Sequence, residues 1–310
     1  MYDIIGDVHG QGEKLRALMR EMGYSERADG WHAPAGRKAV FVGDLIDRGP
    51  EQIAVLTIVR SMVDRGHALM VLGNHEFNAI GYATLDGASG SHYRPRNAKN
   101  KAQHARFLEE VGEDSEPHRE WVEWFRSQPL ALDLGGIRVV HAWWDQEAVH
   151  TVAAAFLASG NWITDEFLHA AYAPGPLTDA RKVLTCGVEM PLPEGRFILD
   201  KLGHKHGEAR MAVWRHWAKR LPEMAIVPAG HEHLVSDCEI PSEYCLPPVS
   251  GTPILFGHHW FSGPVKLETP KVACLDWSAA KEGPLVAYRW DGEVELRHEG
   301  LVAVGGTGEV

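Results

Sequence analysis

Cysteine is scarce: four in 310 residues, at 186, 238, 245 and 274, with no pair spaced C-x-x-C. That excludes a disulfide-stapled framework and a thioredoxin-type redox motif, and it fits a reducing compartment. No stretch approaches the ~20 apolar residues that a membrane helix needs. The amino terminus runs straight into an apolar strand pattern, Tyr2-Asp3-Ile4-Ile5, leaving no room for a signal peptide, so a cytoplasmic location is expected. Positive charge is also in short supply, with 31 Lys and Arg against 42 Asp and Glu and a formal net charge of −11. Duplex nucleic acid is held mainly by phosphate contacts from Lys and Arg, so no stable nucleic-acid complex is expected, although small anions can still be bound locally. Walker-type loops, internal repeats, low-complexity tracts and a dividing linker are all missing, and 45% hydrophobic content is enough for a large core. One domain spanning 1–310 is expected.

Three short runs carry the chemistry: Gly-Asp-Val-His-Gly at 6–10, Gly-Asp-Leu-Ile-Asp-Arg-Gly at 43–49 and Gly-Asn-His-Glu at 73–76. Each follows an apolar stretch that reads as a buried strand, at 2–5, 38–42 and 69–72. Acid, amide and imidazole groups therefore gather at the carboxyl ends of strands, where open α/β sheets place ligands. Two divalent cations roughly 3.5 to 4 Å apart can clamp a phosphate ester and activate a water between them, which requires a shared carboxylate. Asp44 is the natural bridge. Asp7 and His9 lie two apart in an extended segment, so both can chelate one ion with Asp44. Asn74 offers a neutral oxygen to the second ion, which keeps the cluster's charge low enough to receive a phosphate. His75 is then free to protonate a leaving alkoxide, and Asp47 is the carboxylate that would keep it charged. Arg48 presents a planar fork of donors to the non-bridging phosphate oxygens. Mixed oxygen and imidazole donors suit manganese, iron or zinc better than calcium, with Mn2+ the expected ion.

Together the runs resemble the signature of the calcineurin-like metallophosphoesterases, in the branch holding Ser/Thr protein phosphatases and bacterial symmetrical diadenosine tetraphosphatases. The resemblance implies an α/β fold, a four-layer α-β-β-α sandwich. It also implies that one metal takes Asp7, His9 and Asp44 and the other Asp44, Asn74 and two later histidines. His141 matches the first of these, at the end of a strand at 137–140 that follows a hairpin signal, Gly135-Gly136. His258 matches the second: it is followed by apolar segments at 271–278, 283–290 and 293–297, similar to the three-strand ending of this branch. The competing element Gly230-His231-Glu232-His233 is then a loop, or with Cys238 and Cys245 a structural zinc site of unrecognised spacing.

Helices are expected at 11–22, 50–65 and 117–127. The stretch of about 142–250 is long for a connection between two metal histidines and carries helical patterns at 145–158 and 164–172, so it reads as a largely helical cap. Arg210 and Arg215 lie in the region where the family brings a second phosphate-binding arginine from the cap, and Arg210, like Arg48 and Asn74, is taken as substrate-binding. Arg94, Arg96, Lys99, Lys101 and Arg106 form either a solvated face or a basic approach to the metals. The eleven tryptophans, including Trp143 and Trp144, stack a nucleobase or fill core. The expected activity is metal-dependent hydrolysis of a phosphate ester or anhydride by attack of a dimetal-bound water or hydroxide. A nucleotide polyphosphate such as diadenosine tetraphosphate is favoured as substrate over a phosphoprotein. The reading from another class is a catalytically silent metal-binding interaction protein, which would be expected to have lost a ligand or His75.

Overall fold

Alternation along the short strands decides the architecture. In the strands Tyr2–Ile5 and Lys38–Phe41, Ile4 and Val40 face one way while Ile5, Ala39 and Phe41 face the other, and all of these are fully buried. Strands buried on both faces belong to a sheet covered on both sides. The computed structural model describes residues 1–193, 195–199, 205–228, 230–236 and 238–306. Its larger sheet runs in the order Leu301–Val304, Leu285–Trp290, Tyr2–Ile5, Lys38–Phe41, Ala68–Met70, with the last three parallel. A second sheet runs Val272–Cys274, Ile254–Phe256, Arg138–Val140, Ala131–Asp133, parallel except for the expected hairpin, which pairs Asp133 with Arg138.

The inner faces meet through Ile4, Val40 and Val42 on one side and Val139, Leu255 and Ala273 on the other. The outer face of the larger sheet packs on helices Gly12–Glu21 and Gln52–Asp64 through Leu15, Leu18, Val55 and Val59. On the second sheet, Phe256 packs against Trp143 and Trp214, with ring centroids at 6.0 and 4.7 Å. The helix Pro176–Cys186 joins that side, its Leu184 carbonyl accepting from the Ala142 amide at 2.9 Å, and the layers run α-β-β-α. Trp143 and Trp144 are buried, so these two tryptophans fill core.

Helix Glu116–Arg126 starts where Ser115 Oγ accepts from the His118 amide at 3.1 Å, and Gln146–Ala158 where Asp145 accepts from the Ala148 amide at 2.8 Å. The stretch 142–250 is helical mainly in its first half. Helices Gln146–Ala158, Asp165–Tyr172 and Pro176–Cys186 give way at Gly187, φ +77°, to an antiparallel sheet of Val188–Pro191, Glu208–Met211 and Ala225–Ile226. Prolines at 191, 193, 222, 228, 241, 247 and 248 deny the second half the amide donors a long helix needs. The expected strand at 293–297 is also absent. There Glu293 accepts from Tyr288 Oη and the Arg297 amide donates to that same hydroxyl, so the segment folds back on its neighbour, and the last strand forms at Leu301–Val304.

Candidate metal centre

Every motif residue sits just beyond the carboxyl end of a parallel strand, and the two sheets present those ends to each other. Two contacts join them: the His258 amide donates to Asp7 Oδ2 at 3.0 Å, and His141 Nδ1 meets the Val42 carbonyl at 2.8 Å. Glycine is required at 257, where a Cβ would overlap Asp7 Oδ1. His9, Asp44, Asp47, Arg48 and His258 all have positive φ, between 45° and 70°. Left-handed backbone at bulky residues is costly and persists where surrounding contacts over-determine it.

Asp44 lies at the middle. Its Oδ2 is 3.5 Å from His9 Nε2, and its Oδ1 is 3.4 Å from His141 Nε2 while accepting the His75 amide at 3.0 Å. Asn74 Oδ1 faces His141 Nε2 at 3.2 Å and His258 Nδ1 at 2.9 Å. His9 Nδ1 is fixed by the Ile46 carbonyl and His141 Nδ1 by the Val42 carbonyl, each at 2.8 Å, so their Nε2 atoms turn inward. Asp7, His9, Asp44, Asn74, His141 and His258 are thus brought together. Two groups have the spacing of a metal cage: Asp44, His141 and His258; and His9, Asp44 and His75, the second including a histidine assigned to proton transfer. Asp7 Oδ1 and His258 Nε2 are buried with no hydrogen-bond partner, as atoms awaiting a cation would be. Burial pushes the His9 imidazole down to about 3 and, with Arg210, holds His258 low, so both keep a lone pair for coordination.

Beside this cluster His75 Nδ1 bonds Asp47 Oδ2 at 2.5 Å, while its Nε2 lies 3.8 Å from Asp44 Oδ2. Burial works against the His75 charge, but Asp44 and then Asp47 outweigh it and raise its pKa. Arg48 projects into solvent at the rim. Arg210, on the cap strand Glu208–Met211, donates to the His258 carbonyl at 2.7 Å, and its guanidinium lies 5.6 Å from the Trp260 ring centre. Among the described residues His231 and His233 belong to no metal-binding group, neither with the cluster nor with Cys238 and Cys245.

Three contributors had no assigned role in the sequence. His104 Nδ1 bonds the other Asp47 oxygen at 2.9 Å, from the one-residue junction between helices Ala98–Gln103 and Ala105–Val111. Glu76 ends the third run, and its carboxylate accepts from the amides of Asp44, Leu45 and Gly73 at 2.9, 2.7 and 2.9 Å. Asp276, beyond the strand Val272–Cys274, fixes the turn after His258 by accepting from the Trp260 amide at 2.6 Å.

Two sheets whose carboxyl ends converge on clustered carboxylates and imidazoles make this a metal-dependent phosphoesterase fold. The sequence profile described as calcineurin-like phosphoesterase matches residues 2–235, and the chain belongs to that family. Families of this class use divalent metal ions, and the donor set above fits them.

Among curated proteins, the chain is similar to the asymmetrical bis(5'-nucleosyl)-tetraphosphatase PrpE of Anoxybacillus flavithermus, 45% identical over 24% of this chain and 31% of the relative. It is also similar to PrpE of Oceanobacillus iheyensis, 31% identical over 45% of this chain and 54% of the relative. The matches thus span about a third to a half of these relatives' length. A solved structure provisionally named a diadenosine tetraphosphatase overlaps 98% of this chain and 93% of its own, with a TM-score of 0.47 and 17% identity.

Proposed function

We propose that this protein hydrolyses a phosphate ester or anhydride, with a dinucleoside or nucleoside polyphosphate as the favoured substrate. The observation that carries the reading is the convergence of Asp7, His9, Asp44, Asn74, His141 and His258 around one carboxylate with the His75–Asp47 pair alongside. Asp7, His9 and Asp44 would hold one ion, and Asp44, Asn74, His141 and His258 the other, with Mn2+ the favoured metal and iron or zinc the alternatives. When bound, the ions would polarise the phosphoryl group and lower the pKa of a water between them.

The chain's own groups supply the rest. With Nδ1 donating to Asp47, His75 holds its second proton on Nε2, aimed at the centre and available to the leaving oxygen. Arg48 at the rim and Arg210 from the cap bind the non-bridging oxygens and orient the phosphate. The silent reading is disfavoured because every proposed ligand and His75 are present. The polyphosphate preference is supported by the name of the relatives, one of which matches over 45% of this chain. Four free cysteines support a reducing, cytoplasmic setting.

A substrate panel with added Mn2+ tests the proposal: p-nitrophenyl phosphate, diadenosine tetraphosphate, a phosphopeptide and 2′,3′-cyclic nucleotides. Turnover of the tetraphosphate well above that of the phosphopeptide is the expected result. Its products, two ADP or ATP with AMP, identify the bond cleaved. Preference for the phosphopeptide moves the assignment to protein phosphatase, and full activity in chelator-treated, metal-free protein overturns the metal centre.

A further inference from the structure

The basic segment after the third motif divides sharply by partner. Arg96 pairs with Asp114 at 2.7 Å, Lys101 with Glu113 at 2.5 Å and Arg106 with Glu109 at 3.2 Å. Arg94 does not: it spends its guanidinium on two neutral oxygens, Asn78 Oδ1 at 2.8 Å and Gln103 Oε1 at 2.7 Å. Arg181, on the cap helix Pro176–Cys186, is more isolated still. It is 9% exposed, its Nε is buried without an acceptor, and among the described residues it has no carboxylate partner. Among the described residues its guanidinium is held by rings, 5.1 Å from the centre of Phe77 and 5.4 Å from that of Tyr172.

Both arginines rest on the helix Asn74–Ala83, whose first residues are Asn74 and His75. Phe77 and Asn78 are three and four positions beyond Asn74, so they share its face one turn further on, about 5 Å along the axis. Arg94 feels the Asp47 carboxylate and the Arg181 charge. A half-buried and a buried arginine, neither ion-paired among the described residues, are costly to keep together, and a ligand of opposite charge relieves that cost. Guanidinium groups set against successive residues of one helix, Asn78 and Phe77, can meet the spaced oxygens of a phosphate chain.

We propose that Arg94 and Arg181 form a second anion subsite one helical turn from the metal centre, receiving phosphoryl groups of a phosphoanhydride chain beyond the one being cleaved. The proposal rests on the phosphohydrolase reading and deepens it by making phosphate-chain length the basis of selection. A substrate with a single phosphoryl group cannot reach both positions.

The test compares full-length wild type with Arg181→Met and Arg94→Met, which keep side-chain volume, and with Arg106→Met as a distant control. Inorganic tripolyphosphate and orthophosphate are titrated calorimetrically with Mn2+ in excess of both, and kcat/KM is measured on diadenosine tetraphosphate and p-nitrophenyl phosphate. The ratio of tripolyphosphate to orthophosphate affinity should fall at least tenfold in both subsite variants. The tetraphosphate to p-nitrophenyl phosphate ratio should fall with it, through KM, while Arg106→Met keeps both ratios and Arg181→Lys recovers part of the loss. Unchanged ratios, or equal losses for both ligands, overturn the subsite. Absence of all turnover in wild type that still discriminates tripolyphosphate overturns the hydrolase reading and leaves the subsite in place.

Discussion

His75 and His104 grip opposite oxygens of one carboxylate, at 2.5 and 2.9 Å, so Asp47 cannot rotate without breaking a bond to one of them. If His75 donates the leaving-group proton, His75→Asn should lower kcat by roughly a hundredfold or more on poor leaving groups, and by less on p-nitrophenyl phosphate. His104→Phe should cost about tenfold by loosening Asp47, and the double variant should be little worse than His75→Asn alone, because the two residues act through one unit. A double-variant cycle on kcat checks this, and strictly multiplicative losses would separate the roles. The six proposed ligands make a different claim, read by metal analysis. His258→Ala should lose one metal equivalent and most activity, whereas His231→Ala and His233→Ala, outside the cluster, should keep two. The reverse pattern would move the second site to the loop at 230–233. The positions of Arg48, Asp47 and the six proposed ligands could be picked out in the sequence because each belongs to a motif or ends an apolar strand pattern. His104 could not, since nothing local distinguishes it among 18 histidines.

At the scale of elements, the helix Asn74–Ala83 joins the metal loops through Glu76, whose two oxygens close three backbone amides from two different loops. Glu76→Ala leaves those amides buried and unpaired, at about 1–3 kcal/mol each, so a loss of ~3 kcal/mol or more is expected. Calorimetry should show a fall in Tm of about 6 °C or more, and a shift under 2 °C would mean that water replaces the carboxylate. Strand positions were readable because hydrophobic alternation reports burial directly. The cap was less so: Pro176 marks a helix start, yet the strands at 188–191, 208–211 and 225–226 pair across long sequence gaps that no local pattern encodes. The segment 293–297 misled for the opposite reason, an apolar-polar alternation being overridden by the Tyr288 hydroxyl.

For the molecule as a whole, acid stability depends on histidines buried in neutral form. His118 is 1% exposed, its Nδ1 accepts the Asp114 amide at 3.1 Å, and burial lowers its pKa to about 4. Between pH 6.5 and about 4 the unfolded chain binds that proton and the folded one does not, so stability falls as pH drops through this window, by up to about 3 kcal/mol, and is flat below it. Denaturant titrations at pH 7, 5.5 and 4 should show a smaller slope for His118→Gln than for wild type; equal slopes would show that His118 already carries its proton when folded. The union of the sheets at their carboxyl ends also dictates an order of events in time. The strand at 2–5 pairs with 285–290, and Asp7 meets His258 across 251 positions of chain. Loops of that length close slowly, because their entropy is lost before any contact rewards it. The metal centre is therefore among the last features to assemble on refolding and among the first to open. Mn2+ should then lower the unfolding rate severalfold while leaving the refolding rate nearly unchanged, a split that stopped-flow tryptophan fluorescence with and without the ion would resolve; acceleration of refolding would mean instead that the motifs find each other early, before the sheets have closed.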